Sequence, residues 1–225
     1  MTFDQFLYGV FPFVAITLAI VGTIWRYFSD RFSYTSLSSQ FLENRQLFWG
    51  SVPWHYGILV ILTGHLVAFL IPRSVLAWNG EPWRLYVLEA SALAFGFLTL
   101  WGLVALIFRR FSSARIRVVT SPMDVVLLLA LLIQVVAGLW VAVFFRWGSS
   151  WYAAFAVPYL KSLFTLSPDV TLVSNLPFMA QVHIVGAFVL LLLLPFTRLV
   201  HLLAFPITYL WRPYQVVIWN RKGLK

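Results

Sequence analysis

The chain has 225 residues, of which 61% are hydrophobic and 10% charged, and it carries a net charge of +9 and no cysteine. Charged residues make up about a quarter of an average soluble domain, so this composition belongs to an integral membrane protein, and 11 Trp, 9 Tyr and 21 Phe suit aromatic belts at both interfaces. Disulfides, thiolate metal sites and cysteine-held iron–sulfur clusters are excluded from this chain, and its basic excess reports membrane topology, because nothing in it reads as a nucleic-acid module.

About 20 apolar residues at a rise of 1.5 Å cross a hydrocarbon core of about 30 Å. The first predicted span, 6–27, follows Asp4 with no basic residue ahead of it and no small-residue cleavage site, so it is read as retained and not as a signal peptide. Four more follow at 52–71, 85–108, 125–145 and 178–205. Twelve of the Lys and Arg residues fall in the loops after the first and third spans or at and beyond the end of the fifth, and only Arg73, Arg84, Arg146 and Lys161 fall on the other side. The positive-inside bias therefore puts the N-terminus outside and the C-terminus in the cytoplasm. Between the fourth and fifth spans, the apolar piece 151–166 is short and interrupted by Pro158 and Lys161, which suits an interfacial helix on the outer face. The tail 206–225 alternates aromatic and basic residues from Tyr209 to Arg221, the pattern of an interfacial anchor or of a docking surface for a cytoplasmic partner. No internal repeat divides the chain, so residues 1–225 are expected to form one all-α domain, a five-helix membrane bundle.

The chain has four histidines, His55 and His65 on the second span and His183 and His201 on the fifth. Antiparallel packing of the two spans pairs His65 with His183 and His55 with His201. In a continuous helix the 18 residues from His183 to His201 make five whole turns and share a face, while ten residues leave His55 and His65 about 80° apart. The heights disagree, about 27 Å against about 15 Å, and tilt, a bend at Pro195 and ligation at different heights have to absorb the difference. Two imidazoles per site suit two b-type haems, six-coordinate and fit for electron transfer. Gly57, Gly64 and Gly186 are small residues beside the ligands that let a flat macrocycle approach the backbone. Arg198, one turn before His201, is either a partner for a haem propionate or a positive-inside anchor.

A lone intramembrane histidine is commonly a hydrogen-bonded packing residue, but four of four arranged in this way are not. A zinc peptidase is disfavoured, because no H-E-x-x-H occurs and no carboxylate neighbours a histidine. A haem-free proton-coupled transporter, with Glu89 as a buried acid, is the stronger rival, although the spans carry no paired breaks or inverted repeat.

The string R-L-V-H-L-L-A-F-P-I-T-Y-L-W-R-P-Y-Q-V-V from Arg198 and W-H-Y-G-I-L-V-I-L-T-G-H from Trp54 to His65 resemble the gamma subunit of respiratory nitrate reductase. Arg26 and Tyr27 at the end of the first span, S-S-Q at Ser38 to Gln40 and the loop R-R-x-x-S-x-R-x-R from Arg109 resemble it too, and the similarity extends over nearly the whole chain. The resemblance implies a dihaem cytochrome b that oxidises quinol and passes electrons to a cytoplasmic iron–sulfur subunit feeding a molybdenum catalytic subunit. It implies His55 and His201 as ligands of the inner haem and His65 and His183 as ligands of the outer one. The family's quinol site lies beside the outer haem and uses a lysine before the third span, where this chain offers Arg84. Gly64 would leave space next to His65, and Glu89 or Glu81 would accept a proton. A related cytochrome b of another reductase, of the sulfur or heterodisulfide type, is the nearer alternative.

Overall fold

In the computed structural model, which describes residues 1–204, the chain is helical from end to end of its spans. The expected cytoplasmic tail 206–225 and both readings of Tyr209 to Arg221 lie outside the described residues. Among the described residues, five helices are long and apolar enough to cross a membrane: Gln5–Ser29, Arg45–Leu70, Pro82–Ser112, Pro122–Phe144 and Phe178–Phe196. The first is a π turn, Gln5–Val10, continuing into α1 (Phe11–Ser29). Then come α2 (Arg45–Leu70), a short α3 (Pro72–Asn79), α4 (Pro82–Ser112), a short α5 (Ala114–Val118) and α6 (Pro122–Phe144). Their large apolar side chains point outward, Leu66, Trp101 and Ile133 among them, as lipid-facing surfaces require.

The first four spans begin ahead of the apolar runs from which they were predicted, because caps and not hydrophobicity set their starts. Three helices begin at a proline, whose fixed φ and missing N–H suit the first helical position: α3 at Pro72, α4 at Pro82 and α6 at Pro122. At α6, Ser121 and Asp124 form a capping box, with the Ser121 side chain accepting from the Asp124 N–H at 3.1 Å and the Asp124 carboxylate accepting from the Ser121 N–H at 3.0 Å.

α2 and α4 form the closest helix pair. A Cβ on Gly102 would fall 2.7 Å from both the Gly50 carbonyl and the Trp54 Cα, and one on Gly57 would fall 2.8 Å from the Thr99 nitrogen and 2.9 Å from the Phe95 carbonyl. The two backbones approach closely across these glycines, the way small residues bring membrane helices together.

Residues 147–177 make no sixth span, as expected, but they are more deeply packed than an interfacial helix. They fold as α7 (Gly148–Trp151), a π turn (Tyr152–Ala156), α8 (Val157–Phe164) and α9 (Thr171–Ser174). Tyr159, Leu163 and Val173 join Tyr8 and Ala15 of the first span and Phe188 of α10 (Phe178–Leu193) in the main buried core. The Tyr159 hydroxyl donates to the Tyr8 carbonyl at 2.9 Å, and the Tyr8 hydroxyl donates to Gln181 at 2.8 Å. The segment is thus a lid held on one end of the bundle by its aromatic residues.

The fifth span is not one helix through residue 205. α10 stops at Leu193, a 3₁₀ turn covers Leu194–Phe196, Thr197 is extended, and a second 3₁₀ segment covers Arg198–Ala204. The cause is Pro195, which cannot continue the α-helical ladder. The carbonyls freed by the break are met by Arg26 of α1, which donates to the Pro195 oxygen at 2.7 Å and to the Thr197 oxygen at 3.0 Å. Within a membrane such a break persists only where neighbouring side chains satisfy it in this way.

Candidate functional site

Histidine placement follows from these helices. α2 carries His55 and His65 ten residues apart, and the antiparallel last span brings His201 against His55 and His183 against His65. In each pair the ring centres are 6.3 Å apart, with interplanar angles of 69° and 44°. His183 and His201 do not lie on one continuous helix, because α10 ends at Leu193. The chain turn at Pro195 to Thr197 brings His201 opposite His55, absorbing the mismatch in height.

All four imidazoles are held in the same way. The Nδ1 of His55 bonds to the Ser51 carbonyl at 2.7 Å, that of His65 to the Ile61 carbonyl at 2.8 Å, that of His183 to the Gln134 carbonyl at 3.0 Å and that of His201 to the Arg198 carbonyl at 2.5 Å. A carbonyl only accepts, so each Nδ1 carries the proton and each Nε2 keeps its lone pair free, the arrangement that orients ligating histidines. A metal–imidazole bond is about 2 Å long and a ring nitrogen sits about 1.1 Å from its ring centre, so two imidazoles facing one ion have ring centres about 6 Å apart. Both pairs match that spacing. Among the described residues no group of three or more His, Cys, Asp and Glu side chains is placed to hold a metal ion. Paired imidazoles alone suit an ion that brings its own equatorial donors, as haem iron does.

The residues around the rings differ in part from expectation. Gly57 and Gly186 do not make room for a macrocycle: Gly57 closes the α2–α4 contact, and a Cβ on Gly186 would run into the Gln134 side chain of α6. The small residue against a ligand is Gly138 of α6, where a Cβ would come within 2.7 Å of the His183 Cε1. Gln134 holds His183 from two directions, accepting from its Nδ1 and donating from its own side chain to the His183 carbonyl at 3.0 Å. Gly64 does face open space, with nothing within 4 Å of where its Cβ would stand.

Beside His65 the lid makes contact. The Tyr152 ring lies 5.1 Å from the His65 ring, and its hydroxyl donates to the His65 carbonyl at 3.3 Å. Burial raises the Tyr152 pKa, so this hydroxyl remains a neutral donor. Glu89 of α4 fixes the start of the same lid, accepting from the Ser149 N–H at 2.9 Å and the Ser149 hydroxyl at 2.6 Å, while Asn79 donates to Ser149 and Ser150, each at 3.0 Å. Glu81 is exposed at the start of α4. Arg84 stacks its guanidinium over Trp78 and Trp83, 5.0 and 5.5 Å from the ring centres. Arg198 uses all five of its N–H donors on protein acceptors: both Asp124 oxygens and the Ser36, Leu37 and Val119 carbonyls. A haem propionate would have to displace one of them.

Residues 4–220 match the family model described as nitrate reductase gamma subunit. The chain belongs to this family. It is 37% identical over 216 residues to the nitrate reductase gamma chain of Bacillus subtilis (strain 168), covering 94% of this chain and 96% of that one. It is 32% identical to the respiratory nitrate reductase 2 gamma chain of Escherichia coli (strain K12), covering 95% and 96% respectively. The nitrate reductase-like protein NarX of Mycobacterium tuberculosis (strain CDC 1551 / Oshkosh) matches at 35% over 93% of this chain but only 33% of its own length. A gamma subunit with five such helices is an integral protein of the cell membrane and part of an oxidoreductase complex of electron transport.

Sequence reading of this gamma subunit missed Gln134, Gly138, Tyr152 and the role of Arg26. Gly138 stands four residues after Gln134 on the fourth span, the spacing of one helical turn, but only the fold puts that face against His183.

Proposed function

We propose that this gamma subunit is a dihaem cytochrome b that oxidises quinol near the outer face of the membrane and delivers electrons inward to a cytoplasmic iron–sulfur subunit of a respiratory nitrate reductase. That subunit would in turn feed a molybdenum catalytic subunit. The observation that carries the reading is the two cross-helix histidine pairs, each with ring centres 6.3 Å apart and each imidazole presenting a free Nε2. His55 and His201 would hold the inner haem, His65 and His183 the outer one. When bound, the haems supply one-electron carriage between the two sides of the membrane.

The rest of the work falls to the chain. Its basic loops orient the bundle with the N-terminus outside, so that the lid 147–177 and the His65 pair lie on the outer side. Quinol would bind where Gly64 leaves open space next to His65, with Tyr152 and the lid above and Arg84 as donor to a quinone oxygen. Two indoles pack against the Arg84 guanidinium and limit its motion, while its N–H groups stay available at the ring edges. Glu89 is the nearer of the two acids to the lid and the better placed to accept a quinol proton, which would leave on the outer side. Proton release outside and electron delivery inside together separate charge across the membrane.

The test is optical. Adding a reduced short-chain quinol to membranes containing the full complex should develop b-type haem absorption, and nitrate should then reverse it. Haem that quinol reduces but nitrate leaves reduced would move this chain to another reductase. No b-type absorption from the purified subunit would favour the haem-free transporter.

A further inference from the structure

One buried acid takes no part in the steps above. Asp124, in the first turn of α6, is 5% exposed and receives more charged partners than any helix cap needs. Its Oδ1 accepts from the Arg198 Nε at 2.5 Å and its Oδ2 from the Arg198 Nη2 at 2.8 Å, a bidentate pair, while Arg110 of α4 reaches Oδ2 at 3.3 Å. The capping of Ser121 uses Oδ2 alone and leaves the two arginines unexplained.

The segment that Arg198 begins is a short 3₁₀ turn that does not continue α10. Extended Thr197 separates it from α10, so the direction in which Arg198–Ala204 leaves the bundle depends on side-chain contacts at its start. Two arginines make those contacts. Arg26 grips the Thr197 carbonyl from α1, and Arg198 is tied to Asp124, to Val119 and to the loop carbonyls of Ser36 and Leu37. Three residues on, His201 is oriented by the carbonyl of Arg198 itself. The acid, the arginine, its carbonyl and the imidazole therefore form one mechanical series.

We propose that Asp124 is a positioning residue for His201: by holding the Arg198 side chain it fixes the carbonyl that orients this imidazole, and it supplies the negative charge opposite Arg198 and Arg110. The proposal rests on the reading of His55 and His201 as haem ligands. It gives Arg198 a structural task in place of the propionate contact suggested by sequence. Removing the charge leaves two half-buried arginines without their counter-ion, so the segment should shift, and any redox centre at this pair should become easier to reduce.

The experiment compares Asp124→Asn, which keeps the shape and the cap but loses the charge, with wild type in membranes holding the full complex. Low-temperature electron paramagnetic resonance and a redox titration resolve each haem, and His201→Ala and His183→Ala assign which signal belongs to which pair. Asp124→Asn should shift the low-spin g values of the His201-linked haem and raise its midpoint potential, leaving the His183-linked haem unchanged. Arg198→Lys keeps the charge but loses the two-pronged grip. It should move the g values of the same haem with little change in potential, and it carries the test if Asp124→Asn fails to assemble. Two wild-type signals that neither substitution moves, or moves equally for both haems, would overturn the positioning role while leaving the dihaem reading intact. A wild type without two low-spin signals would instead remove the reading beneath it.

Discussion

Gly138→Ala is the sharpest steric probe of the His65–His183 pair. The added Cβ would sit 2.7 Å from the His183 Cε1 and 3.2 Å from its Nδ1, against about 3.5 to 4.0 Å for an ordinary carbon contact, so the ring has to move by close to 1 Å. The ring is tethered to the Gln134 carbonyl at 3.0 Å, and a shift of that size away from α6 stretches this bond out of range. Overpacking costs about 1 to 3 kcal/mol, and the lost hydrogen bond adds about 0.5 to 1.5 kcal/mol. The alanine's better helix propensity returns at most about 1 kcal/mol to the helix, and none of it to the ligand geometry. A net penalty of about 2 to 3 kcal/mol corresponds to roughly one and a half to two decades in the affinity of this one site. Haem extraction and a reduced-minus-oxidised spectrum of the purified variant measure it. The expected result is loss or spectral shift of one haem with the other unchanged, and Gly138→Val should be more severe. Full occupancy with both haem bands unshifted in Gly138→Val would refute the placement of His183 against α6.

Single replacements should separate the pairs: His65→Ala and His183→Ala should each remove the same haem and abolish quinol oxidation, whereas His55→Ala and His201→Ala should each remove the other and block nitrate-dependent reoxidation. Loss of the same haem from His55→Ala and His65→Ala, read by redox titration, would break the pairing. At the quinol pocket, Arg84→Ala removes a charged donor worth about 1.5 to 3 kcal/mol, or roughly one to two decades in quinol affinity. Haem content should stay intact, and unchanged quinol kinetics would reduce Arg84 to an interfacial anchor. Gly64→Ala adds a methyl group to open space, so it should also preserve both haems while weakening quinol or inhibitor binding. Away from the haem pairs, burial tends to raise the Glu43 pKa but is outweighed by donation from the Gln46 N–H, Arg109 and the Leu47 N–H, leaving it below the usual carboxylate range. The stabilisation it gives is present above that range and lost as pH falls through the depressed value. Acidification below about pH 4 should therefore lower the thermal midpoint of wild type more than that of Glu43→Gln, and parallel curves would contradict the linkage.

The sequence displayed the spans and the histidine pairs because both are periodic or compositional signals: long apolar runs interrupted by polar loops, and four histidines on two segments. Helix ends were less legible. The starts at Pro72, Pro82 and Pro122 were written in the chain, but hydropathy alone overlooks the short first turns, each carrying a charged residue such as Arg84 or Asp124, between a cap and the first apolar run. The break at Pro195 was visible as a bend, yet its extent was not, because it depends on Arg26 arriving from a helix about 170 residues away to donate to the freed carbonyls. The glycines show the same limit. Gly57 and Gly186 lie near histidines in sequence and touch other helices in space, while Gly138 lies far from His183 in sequence and against it in space. Arg198 was marked by its nearness to His201. Its partner Asp124 lies 74 residues earlier, where the sequence shows only a helix cap.

The central claim is that this chain holds two haems, each between two histidines on different helices, and haem stoichiometry tests it most directly. Pyridine haemochrome quantification against amino-acid analysis of the purified complex should give two b-type haems per copy of this chain, both low-spin in electron paramagnetic resonance. One haem or none per chain, or a high-spin centre with an open axial position, would contradict it.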